Sequence, residues 1–382
     1  MSDGLALGGA DPIDARLGSA PAGQAEGWSW HRPALGLAPS PVPASAVLLA
    51  GLALGPQGLG VLTPDLLRST EPAVAASAVV LGALIGLDAG TVRVGTGLRL
   101  AGGAAVEAAV TLLGVAAAFL ALAHLDGWQW LAGAYLPWLL GISAASSATR
   151  LRRDGDTPYV ARLGDLDDVL PIVAGAALLA VAVDGPSVRA LSSLASSAGL
   201  AVVVAAAGWF LVSGASGESE QRVYAAGSVL LLTGVATAFS ASPLLVGAMA
   251  AVAWSLTRAT GREPLSRDLR YLQHPLVVFV WLIAGASAHL TEPVLFLAGA
   301  FVVARVAGKA IGGALAASLV PELSRRLGFH LLAPGTAGIV AALMVGGIPV
   351  AGTVEPLLGI VVCGAIGSDL LARLWGQDRS EA

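Results

Sequence analysis

Apolar residues run along this chain in long continuous windows. They do not alternate as in a half-buried strand or form the single stripe of a soluble surface helix. Windows near the length that crosses a bilayer fall at 43–63, 72–91, 101–123, 128–149, 163–184, 190–213, 222–241, 242–257, 271–289, 292–320, 331–349 and 354–374. They predict an all-α polytopic membrane protein of about 12 transmembrane helices, called spans 1 to 12 below. Only Ser240-Ala-Ser-Pro243 divides span 7 from span 8. Residues 1–42, rich in Gly, Ala, Pro and Ser, read as a flexible tail without the basic start and apolar core of a signal peptide. Residues 43–376 form the membrane domain, and 377–382 a short C-terminal tail.

Composition agrees with this reading. Hydrophobic residues make up 56% of the chain and charged residues only 12%, too few to cover a soluble core of this size. The mean hydropathy is +0.79. The single cysteine, Cys363, excludes an intrachain disulfide and a cysteine metal site. No cofactor, bound metal or nucleic-acid partner is expected, and the partner implied by the windows is the lipid bilayer.

Charge then orients the spans. With the N-terminus inside, the cytoplasmic loops and tails hold Arg16, 32, 93, 99, 150, 152, 153, 162, 222, 258, 262, 267, 270, 325, 326, 373 and 379. Only Arg68 and Arg189 fall outside, so the positive-inside rule places both termini in the cytoplasm. Arg305 and Lys309 lie within span 10.

Breakers mark irregular places. Gly55-Pro56-Gln57-Gly58 ends span 1, Pro137 lies inside span 4, and Pro334-Gly335-Thr336-Ala337-Gly338 opens span 11. Such breaks survive at membrane depth only where protein or a water-filled cavity satisfies the freed backbone groups. In corresponding positions of two halves they point to a binding site. Span 4 carries the hydroxyls of Gly141-Ile-Ser-Ala-Ala-Ser-Ser-Ala-Thr149, span 5 the run Gly164-Asp-Leu-Asp-Asp168, and span 10 the lysine. This is the layout of spans 3–5 and 10–12 as inverted repeats.

Ionisable residues inside such windows are costly, which makes them candidates for function. Lys309 is the only lysine; every other basic residue is Arg. Lysine, unlike arginine, can release its proton on burial. Asp167, Asp168 and Lys309 are therefore read as a proton-exchanging centre. The neighbouring carboxylates would titrate as a coupled unit. On a helix they point roughly 100° apart, so one can face a funnel and the other a partner helix. The alternative is that these aspartates, Asp165 above all, cap the N-terminus of span 5. A Lys309–Asp167 salt bridge either opens when an ion binds or only holds spans 5 and 10 together.

Ser143, Ser146, Ser147 and Thr149 are candidate neutral oxygen ligands for a hard cation, or hydroxyls bonded to their own helix. Arg305, one turn before Lys309, reads as structural. Gly308, Gly312 and Gly313 let another backbone approach. Glu107 in span 3 and Glu355 at the start of span 12 either line a pathway or pair with an arginine.

An ordered series of motifs resembles the monovalent cation/proton antiporter superfamily, the NhaA- and NapA-like sodium/proton antiporters. It comprises Leu52-Ala-Leu-Gly-Pro-Gln-Gly-Leu-Gly60, Leu81-Gly-Ala-Leu-Ile-Gly-Leu-Asp88, Asp167-Asp168-Val-Leu, Pro275-Leu-Val-Val-Phe-Val-Trp-Leu-Ile-Ala-Gly-Ala-Ser287 and Gly308-Lys309 with Gly312. The resemblance runs from about Ala44 to Leu374. It implies a transport domain with a core of spans 3–5 and 10–12, a dimerisation part and a homodimer. Broken spans 4 and 11 would cross beside the aspartates. Asp168 would be the main cation and proton carrier and Asp167 the partner of Lys309, a set associated with electrogenic exchange.

The chain departs from the pattern in a short, arginine-bearing stretch between span 4 and Asp167, and in lacking an acid after Pro334-Gly335. The expected function is secondary antiport of a monovalent cation, Na⁺ or Li⁺, against protons, in a bacterial or archaeal plasma membrane. It is not an enzymatic reading. Alternatives are K⁺/H⁺ antiport on the same fold, Na⁺-coupled symport of an organic anion and, remotely, an intramembrane aspartyl protease suggested by Gly164-Asp165.

Overall fold

The computed structural model describes residues 42–90, 96–125, 128–132, 135–148, 158–256, 262–346 and 355–377. Most of both expected tails, and Thr149, lie outside the described residues. The helices, in order, are α1 (Ala44–Leu54), α2 (Pro64–Ser69), α3 (Glu71–Ala89), α4 (Thr96–Ala123), α5 (Leu136–Ala145), α6 (Pro158–Leu166), α7 (Val169–Asp184) and α8 (Val188–Gly214). They continue as α9 (Glu218–Ala238), α10 (Pro243–Leu256), α11 (Arg262–Ser287), α12 (Glu292–Leu319), α13 (Leu327–His330), α14 (Thr336–Gly346) and α15 (Glu355–Gln377).

Seven stretches are long and apolar enough to cross a membrane, and four shorter apolar helices accompany them. With α9 these account for all twelve windows, and the chain is an all-α integral membrane protein. Large apolar side chains point outward along the rods, among them Leu113, Val203, Phe210, Leu230, Val303 and Ile311. Such faces suit lipid, since the helices satisfy their own backbone groups.

Local chemistry explains where the helices are shorter than their windows. Span 1 is helical only to Leu54, because Gly55 leaves the helix in extended conformation and a turn begins at Pro56. Pro137 does not interrupt span 4 from within. It sits at the first turn of α5, where a missing N–H costs nothing. Span 4 instead breaks at its other end, at Ser146. Span 5 is longer than its window, since α6 starts at Pro158, and its helix is interrupted at Asp167 and Asp168.

Packing between helices shows the repeat. Span 1 packs on span 9 as α1 on α11, and span 8 packs on span 2 as α10 on α3. Span 3 packs on span 10 as α4 on α12. Shifting the chain by seven spans maps each pair onto its counterpart, and an odd shift inverts the direction of every helix. The glycines follow the same rule. A Cβ on Gly51 of α1 would lie 2.9 Å from the backbone nitrogen of Ala286 on α11. A Cβ on Gly247 of α10 would lie 3.0 Å from that of Ala83 on α3. Small residues permit this backbone approach where no hydrophobic driving force separates helix from lipid.

Gly247→Leu is therefore expected to destabilise the protein by about 1–3 kcal/mol through overpacking. Gly234→Leu faces open space and should be silent. Thermal unfolding in detergent checks both, and equal melting temperatures would contradict the α3–α10 contact.

Candidate functional site

The site forms where spans 4 and 11 both lose their helix. After α5 ends at Ala145, Ser146 is extended, with φ −67° and ψ 134°. The chain leading into α14 runs antiparallel beside it. Ser147 pairs with Pro334 as an isolated bridge. The Ala148 N–H donates to Ala333 O at 3.0 Å, and the Gly335 N–H donates to Ser146 O at 3.3 Å. Gly335 is required here, because a Cβ would sit 2.5 Å from the Ser147 nitrogen. Pro334 and Gly335, adjacent on the segment leading into α14, thus let two unwound segments satisfy each other inside the protein.

Arg305 of α12 closes the crossing. One guanidinium nitrogen donates to Ser143 O at 3.3 Å and Ala144 O at 2.5 Å, the other to Ser146 O at 2.9 Å and Ala333 O at 3.2 Å. These carbonyls include those left open at the C-terminus of α5, where a cation also opposes the helix dipole. Arg305 is only 1% exposed.

The two aspartates occupy the turn between α6 and α7. The helical bonds continue across it, from Asp167 N to Leu163 O at 2.9 Å and from Ile172 N to Asp168 O at 3.1 Å. Asp168 is the N-cap residue of α7, but its side chain makes no capping bond. Its Oδ1 instead accepts the Ser146 hydroxyl at 2.5 Å. Asp167 Oδ2 accepts the Ser147 hydroxyl. The consecutive serines thus reach one aspartate each.

Lys309 stands one turn beyond Arg305. Its ammonium donates to Ala145 O at 2.5 Å, Glu107 Oε2 at 3.1 Å, Ser147 Oγ at 3.2 Å and Asp167 Oδ2 at 3.4 Å. Asp167, Asp168, Glu107 and Lys309 are all buried. Two buried oxygens of the site have no hydrogen-bond partner, Asp167 Oδ1 and Ser143 Oγ.

The structure therefore brings together Asp167, Asp168, Lys309, Arg305, Glu107, Ser143, Ser146, Ser147, Pro334 and Gly335. Thr336 begins α14 beside them. Gly308 and Gly312 face α4, where a Cβ would lie 3.0 Å from Thr111 Cα and 2.8 Å from Glu107 O respectively. Glu355 opens α15, and its side chain lies outside the described residues. Asp165 is not a helix cap; it lies within α6, with Asp88, Arg162 and Arg270 as charged neighbours.

Two roles escape a reading of the sequence. One is the choice of Glu107 as partner of Lys309. The only hint is the pair of glycines flanking the lysine, which marks the face that span 3 fills. The other is Asp369 on α15, buried and accepting both the backbone N–H (3.2 Å) and the hydroxyl (2.7 Å) of Ser45 at the start of α1. Its spacing of four from Arg373, with Nε–Oδ2 at 3.1 Å, is the local signal.

Arg305→Met should strand the carbonyls of the crossing, each unsatisfied buried group costing about 1–3 kcal/mol. A melting temperature in detergent equal to wild type would contradict that role.

No protein-family model matches this chain, and no curated protein matches it. Its fold is that of the sodium proton antiporter MjNhaP1 from Methanocaldococcus jannaschii. One structure of that protein, at pH 8, superposes with a TM-score of 0.65 and 18% identity over 87% of this chain and 92% of the other. An electron-microscopy structure of it gives 0.60 and 16% identity over 88% and 89%. At such identities the likeness is one of fold.

Proposed function

We propose that the chain is a secondary antiporter that exchanges a monovalent cation, Na⁺ or Li⁺, for protons by alternating access. The fold it shares with a sodium proton antiporter supports the class of activity. The observation that carries the reading in this chain is the Asp168 carboxylate, buried at the unwound crossing and held there by the Ser146 hydroxyl at 2.5 Å and the Ser147 backbone N–H.

A buried carboxylate in that position takes either a proton or a cation. Both neutralise it, and their competition for the same oxygens enforces exchange. Hard cations prefer oxygen ligands. The oxygens at hand are those of Asp168, the unpartnered Asp167 Oδ1 and Ser143 Oγ, and the Ser146 hydroxyl once it turns from Asp168. Asp167 supports the site through Lys309, and Arg305 keeps the crossing intact while the elements around it move. The arginine bias supports a cytoplasmic location of both termini, the side that receives the protons in this reading.

In vesicles containing the full chain, addition of Na⁺ or Li⁺ should drive proton movement, read by a pH-sensitive dye. Asp168→Asn should abolish it, a loss of at least about 100-fold if the carboxylate carries both ions, while leaving the protein folded. Full exchange in Asp168→Asn would sink the proposal. Movement of protons with K⁺ alone, or of Na⁺ only together with an organic anion, would reassign the cargo.

A further inference from the structure

Among the described residues, buried charged side chains are few, and their pairing is uneven. Asp88 has Arg270 at 3.1 Å, and Asp369 has Arg373 at 3.1 Å. The remaining buried charges are Glu107, Asp167, Asp168, Arg305 and Lys309, all within the one site. Arg305 makes its hydrogen bonds to carbonyls, and Lys309 stands between two carboxylates. The Glu107 side is the shorter, at 3.1 Å against 3.4 Å for Asp167.

The two carboxylates are held differently. Glu107 Oε1 accepts the Thr111 hydroxyl at 3.2 Å, so both oxygens of Glu107 are engaged. Its helix α4 lies directly on α12, backbone against Gly308 and Gly312. Asp167 comes from the interrupted α6–α7 junction and has one oxygen without a partner. When a cation draws on Asp167, Lys309 keeps a carboxylate at Glu107 and a carbonyl at Ala145. It has no cause to release its proton, as a lysine with a single carboxylate partner would.

We propose that Glu107 is the standing counter-ion of Lys309, and that the site therefore exchanges one monovalent cation for one proton without moving net charge. The inference rests on the antiport reading given above. Three carboxylates against two cationic side chains leave one negative charge uncompensated. One proton cancels it, and so does one monovalent cation. Burial penalises any residual charge, so these two neutral forms are the ones that cross. The outer charged groups around Asp165 are Asp88, Arg162 and Arg270, of which Asp88 and Arg270 pair at 3.1 Å. The paired-aspartate and lysine motif alone implies electrogenic exchange; the third carboxylate reverses that expectation.

The test uses the full chain in vesicles with a cation gradient that drives proton flux. The membrane potential is set to either sign by an ionophore for an ion the protein does not move. The expected result is equal initial flux at both signs and no potential built up by exchange alone. Flux that changes several-fold with the sign, or a potential generated by exchange, overturns the proposal. Absence of any cation-driven flux from folded protein instead overturns the antiport reading itself.

A second arm addresses Glu107 directly. In Glu107→Gln the site is already neutral, so cation and proton both bind into excess positive charge. The cation concentration for half-maximal flux should rise at least about tenfold, since a unit charge a few ångströms away is no longer opposed. The pH at which the cation-free site takes up its proton should fall. Glu107→Asp should recover much of both. Half-saturation and pH profile unchanged in Glu107→Gln would overturn the counter-ion role, whereas a purely structural residue would alter stability without moving the two together.

Discussion

One ammonium group holds four parts of this protein in register. Lys309 has three N–H donors and is fully buried, and it meets a carboxylate on α4, a carbonyl at the end of α5, a hydroxyl just beyond it and a carboxylate at the α6–α7 junction. A buried charge is tolerated only when paired and hydrogen-bonded on its open sides. That requirement explains why α5 must stop at Ala145, since a continued helix would consume the carbonyl that Lys309 uses. It also explains why α12 carries glycines around the lysine, since α4 must come close enough to deliver Glu107.

Arg305 solves the companion problem. Two broken helices leave carbonyls without helical partners inside the protein. A guanidinium, planar and permanently charged, satisfies several at once from one position. The division of labour between the two cations of α12 follows from their chemistry. Arginine satisfies the carbonyls of the crossing, and lysine stands between the carboxylates of Glu107 and Asp167.

Much of this architecture was legible in the sequence. Twelve apolar windows reappear as helices because bilayer thickness imposes their length. The inverted layout was visible from breakers in spans 4 and 11 and charges in spans 5 and 10. Asp167, Asp168 and Lys309 stood out because few residue types are as costly at such depth. What could not be read was which group meets which. Glu107 and Lys309 are 202 residues apart, and only the close packing of α4 on α12 joins them. The individual pairing of Ser146 with Asp168 and Ser147 with Asp167 depends on the extended conformation at the end of α5. That conformation is stabilised by partners in span 11, so no local signal reports it. Pro137 misled for the opposite reason: its meaning depends on whether a helix starts there, and one does.

The central claim is that cation and proton compete for one buried carboxylate, Asp168. The most direct test is to add Na⁺ or Li⁺ to purified protein in weakly buffered detergent solution and follow proton release with an indicator dye. The account predicts one proton released per chain on saturation, with release lost in Asp168→Asn. Cation binding without release of a proton would contradict it.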